Sequence, residues 1–581
     1  NRQQTIEGVF TLSYKPIKGL TLKAVGGATI RNRQIKEWRR QYGKYGPNGL
    51  ISMGAGQSGP NKISQESQTS RYLTGQLLAE YKLKLDKHDL NVLGGWSAEE
   101  QLYENLGGIR TNIVGNEVPA LNLGATEGWS NSADETEWAL LSGFMRLNYA
   151  YADKYLFEAN FRADASSRFS KKNRWGIFPS FSLGWRITEE EFMKEQKVFS
   201  NLKLRASWGQ LGNQNGLGLY DHIAQYVVSG YYPFGNELGQ WASVQKLPSE
   251  ERTWETVEMF NVALDMGFLD NRLSATAEYF IKRNKDMLVS IEMPSVIGIT
   301  VPTGNYGELE VKGWDFSIGW KDSIGELDYG VRFNISDQKD KLVDYGVEYK
   351  DFTAGVNQKM QGYSLGSIFG YRTDGYFTSE DEVKNSAVIN RSVVGVGDIK
   401  YVDKNGDGKI SAPKDLEYLG TTTPRFVFGL NLNANWREWD FGAVFQGVGK
   451  RNFYLAQEIM APFSVTWGNF SYEMHNDYWT PENPNAALPR HYAGSGHNYQ
   501  ISDHWLQNAA YLRMKNLQLG YSFKKELINK IGIERLRIYF SGENLFEFSK
   551  LNKNFDPELT STSGYIYPIM RSFSCGINLT F

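Results

Sequence analysis

The stretch DIKYVDKNGDGKIS, residues 398–411, sets oxygen-bearing side chains at Asp403, Asn405 and Asp407, with Gly408 where the chain must turn sharply. Calcium takes six to eight oxygens, and a twelve-residue loop supplies them from positions 1, 3, 5, 7, 9 and 12, with Gly at 6. Asp403, Asn405 and Asp407 fill the first three positions, Lys409 offers its carbonyl, and Ser411 serves directly or through water. Ile410 takes the usual apolar anchor. Position 12 is Lys414 rather than an acid, and Asp415 follows one residue later, beyond Pro413. The expectation is a bound divalent ion, Ca²⁺, held by Asp403, Asn405, Asp407, Lys409, Ser411 and Asp415. The ordinary alternative is an Asx-rich turn held by its own backbone hydrogen bonds. No helical pattern flanks the loop, so a sensor that opens a helix pair is not expected. The motif reads as a structural staple.

Other constellations offer less. The six histidines are His88, His222, His475, His491, His497 and His504, and their spacings match no ligand motif such as an i, i+4 pair. No G-x-S-x-G elbow is present. Acids such as Glu99 and Glu100 read as solvated faces. The chain is therefore not expected to be an enzyme. The excursion 450–507 carries Trp467, Phe470, Tyr472, Tyr478 and Trp479, which could meet a substrate or a partner protein. Aromatic faces stack on sugar rings, but such residues more often pack a loop's own core or an interface.

The elements that must position these groups follow period two. In PRFVFGLNLNANW, Phe426, Phe428, Leu430, Leu432, Ala434 and Trp436 share one face, and Val427, Gly429, Asn431, Asn433 and Asn435 the other. Roughly seventeen segments read this way, many longer than the usual five or six residues of a soluble strand. Links such as LDNR, ADK, DSIGE and REWD are short. Long excursions cover about residues 31–68, 100–135, 209–251, 286–308, 339–421 and 450–507. Short turns at one end and long loops at the other are the pattern of a transmembrane β-barrel. Lipid offers no hydrogen-bond partners, so strands must close on themselves, apolar outside and free to be polar within.

Composition agrees. The 581 residues include 33 Tyr, 32 Phe, 16 Trp and 59 Gly, with 63 basic residues against 65 acidic ones. That balance shows no nucleic-acid footprint. The lone Cys575 excludes an internal disulfide framework, and it falls in a final amphipathic strand with Phe573, Ile577, Leu579 and Phe581. No apolar run approaches the roughly 20 residues of a spanning helix. The opening NRQQTIEGVFTLSYKPIKG has no basic-then-apolar leader, which suggests a processed chain or the C-terminal part of a longer one.

Several stretches resemble segments of the SusC-like TonB-dependent outer-membrane transporters (the SusC/RagA type). They include RWGIFPSFSLGWRITEEEF (174–192), SWGQLGNQNGLG (207–218) and NYGELEVKGWDFSIGW (305–320), then DIKYVDKNGDGKIS, DYWTPENPNAALPR (477–490) and ENLFEFSKLNKNFDPE (543–558). They follow the family's order from about residue 130 onward. The resemblance implies an all-β fold: a large antiparallel barrel of about 22 strands, filled by a plug domain and set in outer-membrane lipid of a Gram-negative bacterium. It implies a SusD-like surface lipoprotein as a lid and TonB pulling from the periplasm. The implied cargo is an oligosaccharide, with a peptide as the alternative. On this reading residues 1–581 are the C-terminal portion of the barrel, and the plug and TonB box are not in this chain. Two rivals of another class are an outer-membrane barrel enzyme and a surface carbohydrate-binding protein. A hydrolysis assay separates the first, and solubility without detergent the second.

Overall fold

The computed structural model describes residues 1–40, 44–47, 49–52, 60–114, 118–244, 246–290, 294, 296, 298–346, 353–454, 475–492, 496–559, 567 and 569–581. The chain divides into two compact units. The first comprises Asn1–Leu183, Trp208–Val257 and Ser290–Asn305, and the second Gly184–Ser207, Glu258–Val289 and Tyr306–Phe581.

The first unit is an antiparallel meander. Strands Arg2–Tyr14, Leu20–Arg39, Lys62–Leu85, His88–Thr111, Ser130–Tyr151 and Tyr155–Ser166 pair in sequence order. Residues directly opposite share a face, so the register shows how the sheet is painted. One row runs Leu12, Ala24, Leu77, Trp96, Gly143 and Ala163. The adjacent row on the other face runs Thr11, Val25, Gln76, Ser97, Ser142 and Asp164. The apolar face lies open: Leu77 is 64% exposed and Trp96 59%. A soluble sheet would cover such a stripe.

Two strands of this unit reach 24 residues each, Lys62–Leu85 and His88–Thr111. The expected excursions 31–68 and 100–135 are correspondingly shorter, because the strands run on to Arg39 and Thr111 and resume at Lys62 and Ser130. In IRNRQIKEWRR both faces turn polar, and the alternation that marks a strand fades while its backbone ladder continues. Further on, Gly212 has no room for a side chain, since a Cβ there would sit 2.1 Å from the Phe178 ring. That ring packs edge-on against Trp254, which also meets Phe169.

The second unit repeats the scheme. Gly304–Ile324, Leu327–Tyr345, Arg425–Trp436, Trp439–Lys450, Tyr511–Ser522, Arg535–Glu543 and Ser572–Thr580 pair in succession. One row carries Tyr329, Ala434, Phe441, Leu519, Phe540 and Cys575. The opposite face carries Asn433, Gly442, Gln518, Ser541 and Ser574. Cys575 is exposed on the apolar face, as its parity predicts. Trp436 and Trp439 face each other beside a tight turn. No helix among the described residues is long and apolar enough to cross a membrane.

Candidate functional site

The two longest excursions of the second unit fold together. Residues Gly355–Gln358, Ser367–Tyr371 and Leu416–Thr421 form a three-stranded sheet, and Thr373–Tyr376 pairs with Ile399–Tyr401. Their core joins Tyr371, Ile399, Tyr401, Ile410 and Leu416 from the first excursion to Leu488 and Trp505 from the second. Apolar burial brings these segments together, and a polar network fixes how they meet. The Asp398 carboxylate is fully buried. It accepts from Arg490 through Nε and Nη2 at 2.8 and 2.9 Å, from Asn498 Nδ2 at 2.9 Å and from the Gly395 amide at 2.9 Å. Asn498 Oδ1 accepts from the Ile399 amide, Tyr401 donates its hydroxyl to the His497 carbonyl, and Trp505 Nε1 donates to the Asn498 carbonyl. Periodicity did not reveal this network, because its members sit in irregular segments far apart in the chain. The acid opening DIKYVDKNGDG and the arginine closing NPNAALPR were the available signals.

The calcium-like loop is the rim of this satellite, with Ile410 in its core. Gly406 and Gly408 both take positive φ, +72° and +80°, the conformation the motif's turn requires. Asp403 accepts from the amides of Gly406 and Gly408, each at 2.8 Å. Asn405 Oδ1 accepts from the Asp407 amide at 3.1 Å, while its Nδ2 donates to Asp407 Oδ2 at 2.9 Å. Asp407 Oδ1 takes the Lys409 amide at 3.0 Å, and Lys414 Nζ stands 3.1 Å from Oδ2. The Asn405 amide and the Lys414 ammonium hold the Asp407 carboxyl below its ordinary pKa. Asp415 is buried and reaches back into the loop, with Oδ1 on the Lys404 amide (3.0 Å) and Oδ2 on the Ser411 amide (2.7 Å). Among the described residues no three acids, histidines or cysteines stand close enough to share an ion. Asp403, Asn405 and Asp407 thus share one turn, with a cationic side chain beside Asp407, whereas Asp415 braces the backbone behind them.

Of the aromatic candidates, Trp467, Phe470 and Tyr472 lie outside the described residues. Tyr478 is part-exposed and stacks on His491, with ring centroids 4.5 Å apart. Trp479 is buried against Gly397, where a Cβ would stand 2.3 Å from the indole. Trp479 is thus packed inside the satellite.

Three histidines of this satellite have lowered pKa values, because burial disfavours the charged ring: His491, to about 4, His497 and His504. His475 and Tyr478 face His491, and Asp398, Arg490 and the Ile399 carbonyl face His497. Asp503 and the Ala487 carbonyl face His504. Unfolding lets each ring protonate near pH 6.5. Their stabilising contribution is therefore complete above that value and is lost as pH falls toward about 4. Acidification across this window should speed proteolysis of residues 475–508, with little change at the wall strands. Equal cleavage at pH 7 and pH 4.5 by an acid-tolerant protease would contradict this.

Two units of antiparallel strands, each apolar and exposed on one face and polar on the other, define an outer-membrane β-barrel. The chain belongs to the family described as TonB dependent receptor-like, beta-barrel, which it matches over residues 10–545. Among its relatives, TonB-dependent receptor P3 of Formosa agariphila is 28% identical over 606 residues, spanning 100% of this chain and 58% of the relative. TonB-dependent receptor SusC of Bacteroides thetaiotaomicron is 32% identical over 472 residues, covering 78% of this chain and 44% of SusC. Among solved structures, the RagAB peptide transporter superposes with a TM-score of 0.84 at 23% identity, over 100% of this chain and 62% of that one. The chain thus spans less than two thirds of the length of these relatives.

Proposed function

We propose that this chain is the barrel portion of an outer-membrane importer for a bulky nutrient, an oligosaccharide, energised by TonB and working with a SusD-like lipoprotein lid. The family match carries this reading. The polar face of each unit suits a water-filled passage, and the satellite fold supplies an ordered surface for a lid or cargo. Such a protein gates and performs no covalent chemistry, and the named relatives are receptors. The test is uptake by cells carrying the full-length protein, with oligosaccharide pools and peptide pools offered separately. Deleting the gene or inactivating TonB should abolish oligosaccharide uptake. Selective loss of peptide uptake would make the cargo a peptide, and no loss of either would refute import.

The reading extends to residues 403–415 as a Ca²⁺ staple. Asp403, Asn405 and Asp407 would hold the ion with the Lys409 carbonyl and Ser411, displacing the Lys414 ammonium from Asp407. Asp415 would join them from behind the loop, where its oxygens take the Lys404 and Ser411 amides. Adding Ca²⁺ to chelator-treated protein should slow cleavage within 403–415 with a midpoint on the order of 0.1–1 mM, the range of extracellular modules. Asp403→Ala should remove the response. A wild-type loop indifferent to Ca²⁺ and to chelator would leave only the Asx turn.

A further inference from the structure

The lipid-facing side of the second unit ends in a belt of positive charge. Strands Leu273–Val289, Gly304–Ile324 and Leu327–Tyr345 meet short turns at one end and long connections at the other. The end with long connections faces the cell exterior in an outer-membrane barrel. On the first strand the apolar face runs through Leu273, Ala275, Ala277, Tyr279 and Ile281, then continues in the same parity to Arg283 and Lys285. On the second it runs from Trp320 to Trp314, then to Lys312 and Glu310. The third pairs with it, and its Val331, Phe333 and Ile335 lead through Asp337 to Lys339 and Lys341. The cations therefore stand on the face that meets lipid, in the rows just beyond its apolar part.

This belt is short of anions. Glu310 serves two cations, Arg283 Nη2 at 3.0 Å and Lys312 Nζ at 2.7 Å, while Glu258 takes Lys285 Nζ at 3.1 Å. Asp337 is occupied by Arg425. Lys339 and Lys341 are exposed and make no ion pair among the described residues. Lys339 also stands directly opposite Lys312. Like charges facing across a ladder destabilise it, and an anion between them would relieve that cost. One row further out, Glu308 and Asp344 are acidic, so the cations form a band between the apolar rows and an acidic rim. The first unit differs. Beyond Ala98 and Leu141 its apolar face carries Glu100, Glu104, Glu135 and Glu137 against Arg71. A cationic belt is thus a property of this wall, not of every strand that leaves the lipid.

We propose that the belt holds the phosphate groups of the phosphorylated glycolipid of the outer leaflet, whose acyl chains lie along the apolar rows below. Three observations select this ligand. The order along each strand, apolar then cationic then acidic, matches acyl chain, phosphate and sugar hydroxyls in turn. Lysine binds phosphate as a compact point charge, and its long stem can lie along apolar surface while the ammonium reaches the headgroup. A protein partner is disfavoured, because interface cores are depleted in Lys. The proposal rests on the lipid-facing wall and is independent of the cargo.

The test uses the full-length protein, purified from outer membranes, delipidated and held in detergent with a chelator, so that no divalent ion can bridge. Phosphorylated lipid A, lipid A stripped of phosphate, and phosphatidylglycerol are offered separately, and bound lipid is counted by native mass spectrometry. Wild-type protein should bind phosphorylated lipid A roughly tenfold or more tightly than either of the others, as expected for several lysines near an anionic headgroup. The triple variant Lys312→Gln, Lys339→Gln, Lys341→Gln should lose that preference while keeping the anomalous gel mobility of an unheated barrel. Equal binding of the three lipids overturns the proposal, and so does undiminished preference in the variant. Amine labelling of Lys339 and Lys341 in wild-type protein gives a second measurement that needs no variant to fold. Protection by phosphorylated lipid A supports the assignment, and equal labelling with and without it overturns it.

Discussion

Asp398→Ala is expected to unfasten the satellite fold while the wall strands stay paired. The native carboxylate is fully buried and receives five hydrogen bonds, two of them from Arg490 and the longest from the Tyr492 hydroxyl. Removing one member of such a pair strands the other, at about 3–5 kcal/mol. Arg490 keeps some contact with solvent, so the lower end of that range is the expectation. Asn498 and the Gly395 amide lose their acceptor as well. Proteolysis within residues 353–421 and 475–508 should rise by two orders of magnitude, with unheated gel mobility unchanged. Asp398→Asn, which keeps the shape and one acceptor oxygen, should fall between. Cleavage at the wild-type rate would mean that apolar packing around Ile399 and Trp505 suffices.

A comparable effect is expected from Arg513→Ala. Arg513 lies on the polar face of its strand, opposite Gln446, with a side chain only 3% exposed. It pairs with Glu547, with Asp556 at 2.6 Å and with Glu558 at 3.2 Å. Lys515 adds a second cation to Glu558 at 2.6 Å, and Arg451 donates to the carbonyls of Pro557 and Leu559. Three carboxylates converging without Arg513 would repel one another. The segment 547–559 should then come away from the wall at a cost of about 3 kcal/mol or more. Hydrogen exchange of its amides should accelerate by roughly a hundredfold. Arg513→Lys keeps the charge but loses the planar fork that serves several acids, so partial protection is expected. Unchanged exchange in the alanine variant would show that Arg451 and Lys515 hold the segment unaided.

How much of this could be read beforehand varies by element, for physical reasons. The rows through Leu430, Leu432 and Ala434 were legible because lipid demands one apolar face and the pleat has period two. The ends of Lys62–Leu85 and His88–Thr111 were not, since hydrogen bonding extends these strands where neither face is apolar. The turn at Gly406–Gly408 was legible because each oxygen donor has a set place along the loop. The contacts of Asp415 were harder to see: its place one residue past position 12 suggested a ligand, and its oxygens also take the Lys404 and Ser411 amides. The pairing of Asp398 with Arg490 joins positions 92 apart, and no local pattern encodes such a partner. The hairpin of Tyr226–Phe234 with Glu237–Val244 escaped notice because its aromatics occupy both parities, which reads as a loop rather than as an amphipathic strand.

The 24-residue strands of the first unit carry a mechanical consequence. At about 3.3 Å per residue such a strand is about 80 Å long, and a tilt near 45° leaves roughly 55 Å of height, about twice an apolar band of about 25 Å. The surplus stands clear of the lipid as a cross-braced parapet whose rungs are peptide hydrogen bonds. Bending it would shear many rungs together, so movement is expected in the connections beyond the strand ends rather than within the ladder.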